Sequence, residues 1–238
     1  MLLRCITLLL LPHTVLQAQV KNPHLLLRFV NKANGKPIVL LDSAYSNNFE
    51  ESYQLTRLKY YISDICLAGK QKRSAIKNIF LLDAAGSDTA ALSVKTGTYN
   101  SLRFKLGVDS ILNCSGAQAG ALDPLNGMFW TWNSGYVFFK LEGYSASSTA
   151  DLQRIEHHIG GYQGSNKASK EIELILKEAL IIKEGDHREI TIEVNLDRYW
   201  KGQQELKIAS NALIMSPGDL AKKSSQNFQG MFSIAEIK

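Results

Sequence analysis

The segment ITIEVNL, residues 190–196, alternates apolar and polar side chains over seven positions. Because successive side chains of a β-strand point to opposite faces, this period of two predicts a strand with one buried face. Strand signals recur between turns of Gly, Asn and Ser, and we predict further strands at 25–30, 38–41, 58–67, 79–82, 92–95, 99–108, 129–141 and 171–176. This pattern favours an all-β fold, mainly antiparallel, built as a β-sandwich or open barrel with long loops and short helical turns.

Three local features refine this prediction. Asn34-Gly35 predicts a hairpin turn, because both residues tolerate positive φ. Residues 170–182 are ambiguous, because Glu, Leu, Lys and Ala also favour helix. Short helical turns are expected at 42–52 and 197–201.

The N-terminal residues 1–18 have the order of a secretory signal peptide. Arg4 precedes an apolar run, and the small residue Ala18 stands at the predicted cleavage site. A buried N-terminal helix is the alternative, but Pro12 interrupts the run and no amphipathic pattern follows it. No later stretch is long and apolar enough for a membrane span. We therefore expect an exported protein without an integral membrane segment, in which residues 19–238 form a single β domain.

The charge distribution and the motifs argue against two functional classes. The formal net charge is +5, and the densest basic run, Lys70-Gln71-Lys72-Arg73, contains no aromatic residue. A nucleic-acid site needs a focused basic face with stacking groups, so we expect no nucleic-acid partner. The sequence also contains no Gly-x-Ser-x-Gly, His-Glu-x-x-His or phosphate-binding glycine motif. We expect no enzymatic activity.

Two cysteines, Cys66 and Cys114, follow the predicted signal peptide. An oxidising compartment permits a disulfide between them. Two separate thiols, or a thiol used as a metal ligand, are the alternatives.

An aromatic cluster and a histidine pair carry the functional signal. Trp130 and Trp132 lie two positions apart in a predicted strand and would share one face. They suit a buried core, a sugar-stacking platform or redox-active side chains. His157 and His158 follow, and on a strand only one of them can face a site. Neutral imidazole binds copper, zinc, iron or nickel, whereas polar loop histidines are the simpler interpretation.

Several pieces of this chain together resemble the MbnP-like family. They are LKYYISDI (58–65), GTY (97–99), LGVD (106–109), GALDP (120–124), GMFWTWNSGY (127–136), KLEG (140–143) and HIGG (158–161). The resemblance spans most of the chain after the signal peptide, and its most specific piece is Trp-x-Trp-x-x-Gly-Tyr.

The resemblance implies an exported copper-binding protein of the periplasm or cell surface. In relatives of this kind, a partner di-haem enzyme oxidises a tryptophan to kynurenine. The resemblance thus implies Trp130 or Trp132 as the oxidised residue, with a slight preference for Trp130, and His158 as a metal ligand beside His157. Cys114 stands where copper-binding members carry a histidine. Either its sulfur replaces that ligand or the site is incomplete.

Two other functions remain open at this stage. One is a non-catalytic surface module that binds carbohydrate or a protein through Phe129, Trp130, Trp132 and Tyr136. The other is a metal-dependent enzyme that uses the histidine pair. We expect the copper-binding function.

Overall fold

Two packed β-sheets form the protein in a computed structural model that describes residues 23–116, 118–131 and 133–238. The strands are β1 (His24–Ala33), β2 (Lys36–Pro37), β3 (Ala44–Ser46), β4 (Ser52–Ala68), β5 (Arg73–Ile76), β6 (Phe80–Asp83), β7 (Thr89–Ser93), β8 (Gly97–Leu106), β9 (Phe129–Thr131), β10 (Gly135–Tyr144), β11 (Arg154–Gly160), β12 (Lys170–Ile182), β13 (His187–Asn195), β14 (Leu213–Ile214) and β15 (Phe232–Ile237). The short helices are α1 (Ser110–Cys114), α2 (Leu196–Trp200), α3 (Ile208–Asn211), α4 (Asp219–Ser225) and α5 (Phe228–Met231). The predicted all-β, sandwich-like fold is confirmed.

The smaller sheet contains the alternating segment from which the fold was predicted. Its order is β15-β13-β1-β2, and β7 also pairs with β1. Ile190, Ile192 and Val194 of β13 are fully buried, as the period of two requires. β13 pairs with β1 in parallel, whereas the other pairings of this sheet are antiparallel. The chain then enters α2, where the Asn195 side chain accepts a hydrogen bond from the backbone N–H of Asp197 at 2.8 Å.

The larger sheet has the order β12-β8-β4-β10-β11-β14, and β3, β5 and β6 pair with parts of β4. Its inner face packs on the smaller sheet through aromatic side chains. Phe232 of β15 illustrates this packing, because its ring centroid lies 5.2 Å from that of Phe104 and 6.2 Å from that of Tyr60. Phe29 of β1 lies edge-on to the same two rings. The core therefore lies between the sheets, and the outer face of β10 and β11 is left for a site.

Several local predictions are confirmed. Asn34 and Gly35 form the β1–β2 turn with φ of 49° and 71°. Residues 170–182, which the sequence left ambiguous, form strand β12 and pair with β8. The helical turn expected at 197–201 is α2.

The helical turn expected at 42–52 is wrong. This segment contains strand β3, which pairs with β4. The turn between them is organised by Asn47, whose side-chain oxygen accepts hydrogen bonds from the backbone N–H groups of Phe49 and Glu51. Such local bonds favour a turn over a helix.

The single strand predicted at 129–141 is also wrong. It is two antiparallel strands, β9 and β10, with Gly135 after the turn at a φ of 73°. That left-handed conformation suits glycine and ends the extended run. Trp132 lies outside the described residues, so the shared face of Trp130 and Trp132 stays a prediction.

The predicted signal peptide, residues 1–18, also lies outside the described residues. From residue 23 onward, the described part of the chain contains no helix of the length and apolar character that a membrane crossing requires.

Candidate functional site

Strand pairing divides the histidine pair between two faces of the larger sheet. In the β10–β11 register, Lys140 stands opposite His158, and Leu141 stands opposite His157. Leu141 and His157 are fully buried toward the core. His158 is 9% exposed and lies on the outer face. Only one of the two successive histidines can therefore belong to an outer-face site.

His157 is a hydrogen-bonded core residue. Its Nε2 lies 2.5 Å from the carbonyl oxygen of Asn211, which can only accept, so Nε2 carries the proton. Its Nδ1 then accepts from the Tyr199 hydroxyl at 2.7 Å. Burial lowers the pKa of His157 to about 4, so the ring is neutral at pH 7. Both nitrogens are occupied, and neither has a free lone pair for a metal.

His158 has one nitrogen occupied and one available. Its Nε2 lies 2.8 Å from Oε1 of Glu142. The hydrogen bond from His158 is the main reason that the pKa of Glu142 falls to about 2, with Lys140 and Arg57 contributing. An ionised carboxylate only accepts, so Nε2–H of His158 donates to it. Nδ1 of His158 makes no hydrogen bond within the described residues. Its lone pair points away from the carboxylate of Glu142.

Cationic groups hold Glu142 in place. Arg57 of β4 forms an ion pair with its second carboxylate oxygen. Lys140 lies 3.5 Å from the oxygen that His158 also contacts, and it donates to the carbonyl oxygen of Gly127 at 2.5 Å. Burial lowers the pKa of Lys140. Glu142 is therefore a fixed acceptor that orients the imidazole of His158.

Trp130 packs directly against the strand that carries His158. A Cβ atom added to Gly160 would lie 2.7 Å from Cζ3 of Trp130 and 2.5 Å from the carbonyl oxygen of Tyr136. Only glycine leaves room for the indole there. Gly160 is two positions after His158 in β11, so the indole and the imidazole share the outer face. Nε1 of Trp130 is buried and has no hydrogen-bond partner in the described structure.

Cys114 lies at the end of α1 and is exposed. A hydrogen bond with its thiol raises the pKa of Tyr162, which follows β11 by two residues. Buried Asn113 fixes this helix, because its side chain accepts from the backbone N–H of Tyr136 at 2.9 Å and donates to the carbonyl oxygens of Val108 and Asp109. Cys114 is thus held beside Tyr162, just after the end of β11.

The other cysteine lies in a different element of the fold. Cys66 is buried in β4, and its sulfur accepts a hydrogen bond from Nε of Arg73 at 2.9 Å. Both thiols are free, so the alternative of a Cys66–Cys114 disulfide is wrong. The two cysteines belong to different elements, each fixed by its own local contacts.

The aromatic residues do not present one open platform. Tyr136 is fully buried, and its hydroxyl donates to the carbonyl oxygen of Leu122 at 2.7 Å. Phe129 packs on Tyr136 with ring centroids 4.9 Å apart. Met128 is also fully buried. Among the members of the predicted platform, Trp130 is partly buried and its ring contacts Gly160 of β11.

The structure therefore brings together part of the predicted site. His158 and Trp130 share a face, Cys114 lies toward its end, His157 belongs to the core, and Trp132 is not described. Sequence reasoning missed Glu142 and Gly160. The alternation of Lys140, Leu141 and Glu142 indicates that Glu142 shares a face with Lys140, but the register that sets it beside His158 is non-local. Within the described ranges, no three His, Cys, Asp or Glu side chains form a cluster that could hold a metal ion.

Comparisons with known proteins agree with this architecture. The family model MbnP matches residues 22–216. Among solved structures, MbnP from Methylosinus trichosporium is similar, with a TM-score of 0.56 and 16% sequence identity over 77% of this chain and 79% of that chain. At this identity the structural likeness shows the fold alone. A search of curated protein sequences finds no match. Because the family model covers most of its length, this chain belongs to the MbnP family.

Proposed function

We propose that this chain is an exported copper-binding protein whose site lies on the outer face of β10 and β11. His158 is the imidazole ligand through Nδ1, and Trp130 is the residue that becomes kynurenine. The MbnP family is associated with methanobactin and copper. The observation that carries the proposal is the hydrogen bond from Nε2 of His158 to Glu142, which leaves Nδ1 available. The role is binding, not catalysis.

These residues supply one well-oriented ligand for copper but not a complete set. Metal-binding histidines commonly donate their second ring N–H to a carboxylate, which fixes the tautomer and the ring orientation. Glu142 supplies that carboxylate here. Imidazole is a good ligand for copper. One imidazole does not make a closed site, however, and the described residues offer no cluster of three protein ligands.

Oxidation of Trp130 would supply a further donor. Kynurenine carries an aryl amine and a ketone oxygen, whereas the indole N–H is a hydrogen-bond donor only. In the present structure Nε1 of Trp130 is buried without a partner, which is costly for a polar group. A di-haem enzyme is the proposed oxidising partner; with dioxygen or hydrogen peroxide as the oxidant it would cleave the indole C2–C3 bond, and water would then release C2 as formate to leave kynurenine. The exposed thiol of Cys114 is a second candidate donor, because sulfur favours copper(I).

Export is part of the same proposal. Residues 1–18 have the features of a signal peptide, and a copper-binding role suits the periplasm or cell surface. Native protein should begin near Gln19 when its N-terminus is read by mass spectrometry. An intact Met1 in native protein would contradict export.

The copper proposal is tested by comparing native and recombinant protein. Native protein should yield a peptide containing Trp130 that is heavier by about 4 Da, the change from tryptophan to kynurenine. Recombinant protein made without the oxidising partner should keep its indoles and bind copper weakly. In native protein, His158→Ala should weaken copper binding by roughly 10- to 100-fold, and Glu142→Gln should weaken it less.

Glu173→Gln is the matched control for Glu142→Gln, because Glu173 pairs with an arginine elsewhere on the same sheet. That variant should bind copper as the native protein does. Unmodified tryptophans in native protein, together with copper binding that is indifferent to His158→Ala, would refute the proposal.

A further inference from the structure

We propose that His24 and His187 form a separate surface site for a borderline divalent cation, in the smaller sheet. His24 is the first residue of β1, and His187 is the first residue of β13. The two are direct partners in the parallel β1–β13 register. Their rings are stacked, with centroids 5.5 Å apart and planes inclined by 15°. Both residues are exposed to solvent.

The two imidazoles are available as ligands. Neither ring makes a hydrogen bond or an ion pair with any part of the chain that the structure describes, unlike the rings of His157 and His158. The backbone around them is fixed instead, because the N–H of His24 donates to the carbonyl oxygen of Asp186 at 2.9 Å. A rigid backbone that carries two free imidazoles lowers the entropy lost when a cation binds both.

The ring separation suits chelation. A coordinating nitrogen lies about 1 Å from its ring centroid and about 2 Å from the metal, so each centroid lies about 3 Å from the ion. For ligand angles between about 90°, as at nickel(II) or copper(II), and the tetrahedral angle, as at zinc(II), the two centroids are then roughly 4–5 Å apart, somewhat closer than the observed 5.5 Å. The stacked, near-parallel rings do not aim their in-plane lone pairs at one point, so binding also requires the two exposed rings to rotate about χ1 and χ2.

The ligand chemistry defines the class of cation. Neutral imidazole binds copper(II), nickel(II) and zinc(II), whereas calcium and magnesium prefer oxygen ligands. Two protein ligands leave the other coordination positions to water, so binding should be weak and reversible. The site lies in the smaller sheet, whereas His158 lies in the larger sheet. It needs no oxidised tryptophan. It is therefore independent of the proposed copper site.

Nickel(II) is the probe, titrated by calorimetry into untagged recombinant protein that begins at Gln19 and so lacks His13. We expect His24→Ala and His187→Ala each to weaken nickel(II) binding at least tenfold, because each leaves one ligand. Asn100→Ala, at an exposed position of β8 away from both proposed sites, is the control and should leave this binding unchanged. Paramagnetic broadening in NMR spectra should centre on the backbone signals of Ser93 and of the first residues of β1 and β13.

Circular dichroism of each variant establishes that it is folded. Nickel(II) binding of wild-type strength in both single variants would overturn the proposal, as would broadening centred on β11. Absence of binding to the wild-type protein would also overturn it. None of these results depends on whether Trp130 is oxidised.

Discussion

At the scale of single residues, His157 and His158 have opposite surroundings because successive side chains of a strand point to opposite faces of the sheet. His157 points into the core and bonds Tyr199 and Asn211, whereas His158 points outward and bonds Glu142. The sequence predicts this division once the segment is taken as a strand. It does not predict which histidine faces outward, because that depends on packing against α2 and α3, which are distant in sequence.

The buried state of His157 predicts a stability change with pH. Its pKa is about 4 in the folded protein and near 6.5 in the unfolded chain. The unfolded chain therefore binds more protons between these values, so the free energy of unfolding falls as pH decreases from 6.5 to 4. His157 alone accounts for a decrease of about 3 kcal/mol in the free energy of unfolding. Urea denaturation at a series of pH values measures it.

The effect of His157 on the pH dependence of stability can be separated from the effect of Glu142. The Glu142 carboxylate has a lowered pKa, so its contribution is lost only as pH falls below about 4.5 toward about 2. A folded His157→Asn variant should lose less stability between pH 6.5 and 4.5 than the wild type, whereas His187→Gln should follow the wild type. An identical decline in the His157 variant would show that another group is responsible.

At the scale of elements, the sequence predicts most strands and fails where a tight turn redirects the backbone. Asn47 converts an expected helical turn into a hairpin. The β9–β10 turn is a second case, because the apolar content of residues 129–141 masks it. The parallel pairing of β1 with β13 is also not readable from the sequence, since nothing local relates strands so far apart.

Asn113 is the side chain that fixes α1 to β10. Asn113→Ala removes the acceptor of the Tyr136 N–H and the donor to Val108, which leaves buried groups without partners. We expect a loss of about 2–3 kcal/mol in the free energy of unfolding, measured by urea denaturation. Asn100→Ala is the control, because Asn100 is exposed in β8, and it should change stability little. Equal effects of the two substitutions would contradict this role of Asn113.

At the scale of the whole molecule, aromatic rings from both sheets hold the sandwich together. Phe232 is 6% exposed and contacts two rings of the larger sheet from β15. The sequence predicts a two-sheet β fold from its alternation, but not that a strand near the end of the chain completes this core. The match to the family model ends at residue 216, before β15 begins.

Phe232→Ala should lower the free energy of unfolding by about 3 kcal/mol, because it leaves a cavity between the sheets. Thermal and urea denaturation both measure this loss. Ile175→Ala is the control, since Ile175 is 69% exposed, and it should stay within about 0.5 kcal/mol of the wild type. A Phe232 variant as stable as the control would show that β15 does not complete the core.

The parallel pairing of β1 with β13 also sets the timing of folding during synthesis. His24 and its partner His187 are 163 positions apart. At roughly 5–20 residues per second, a ribosome needs on the order of 10–30 s to make the second strand after the first. Until then one edge of β1 has no partner and can pair with another chain. A nascent chain therefore cannot complete the smaller sheet until most of its length has been made.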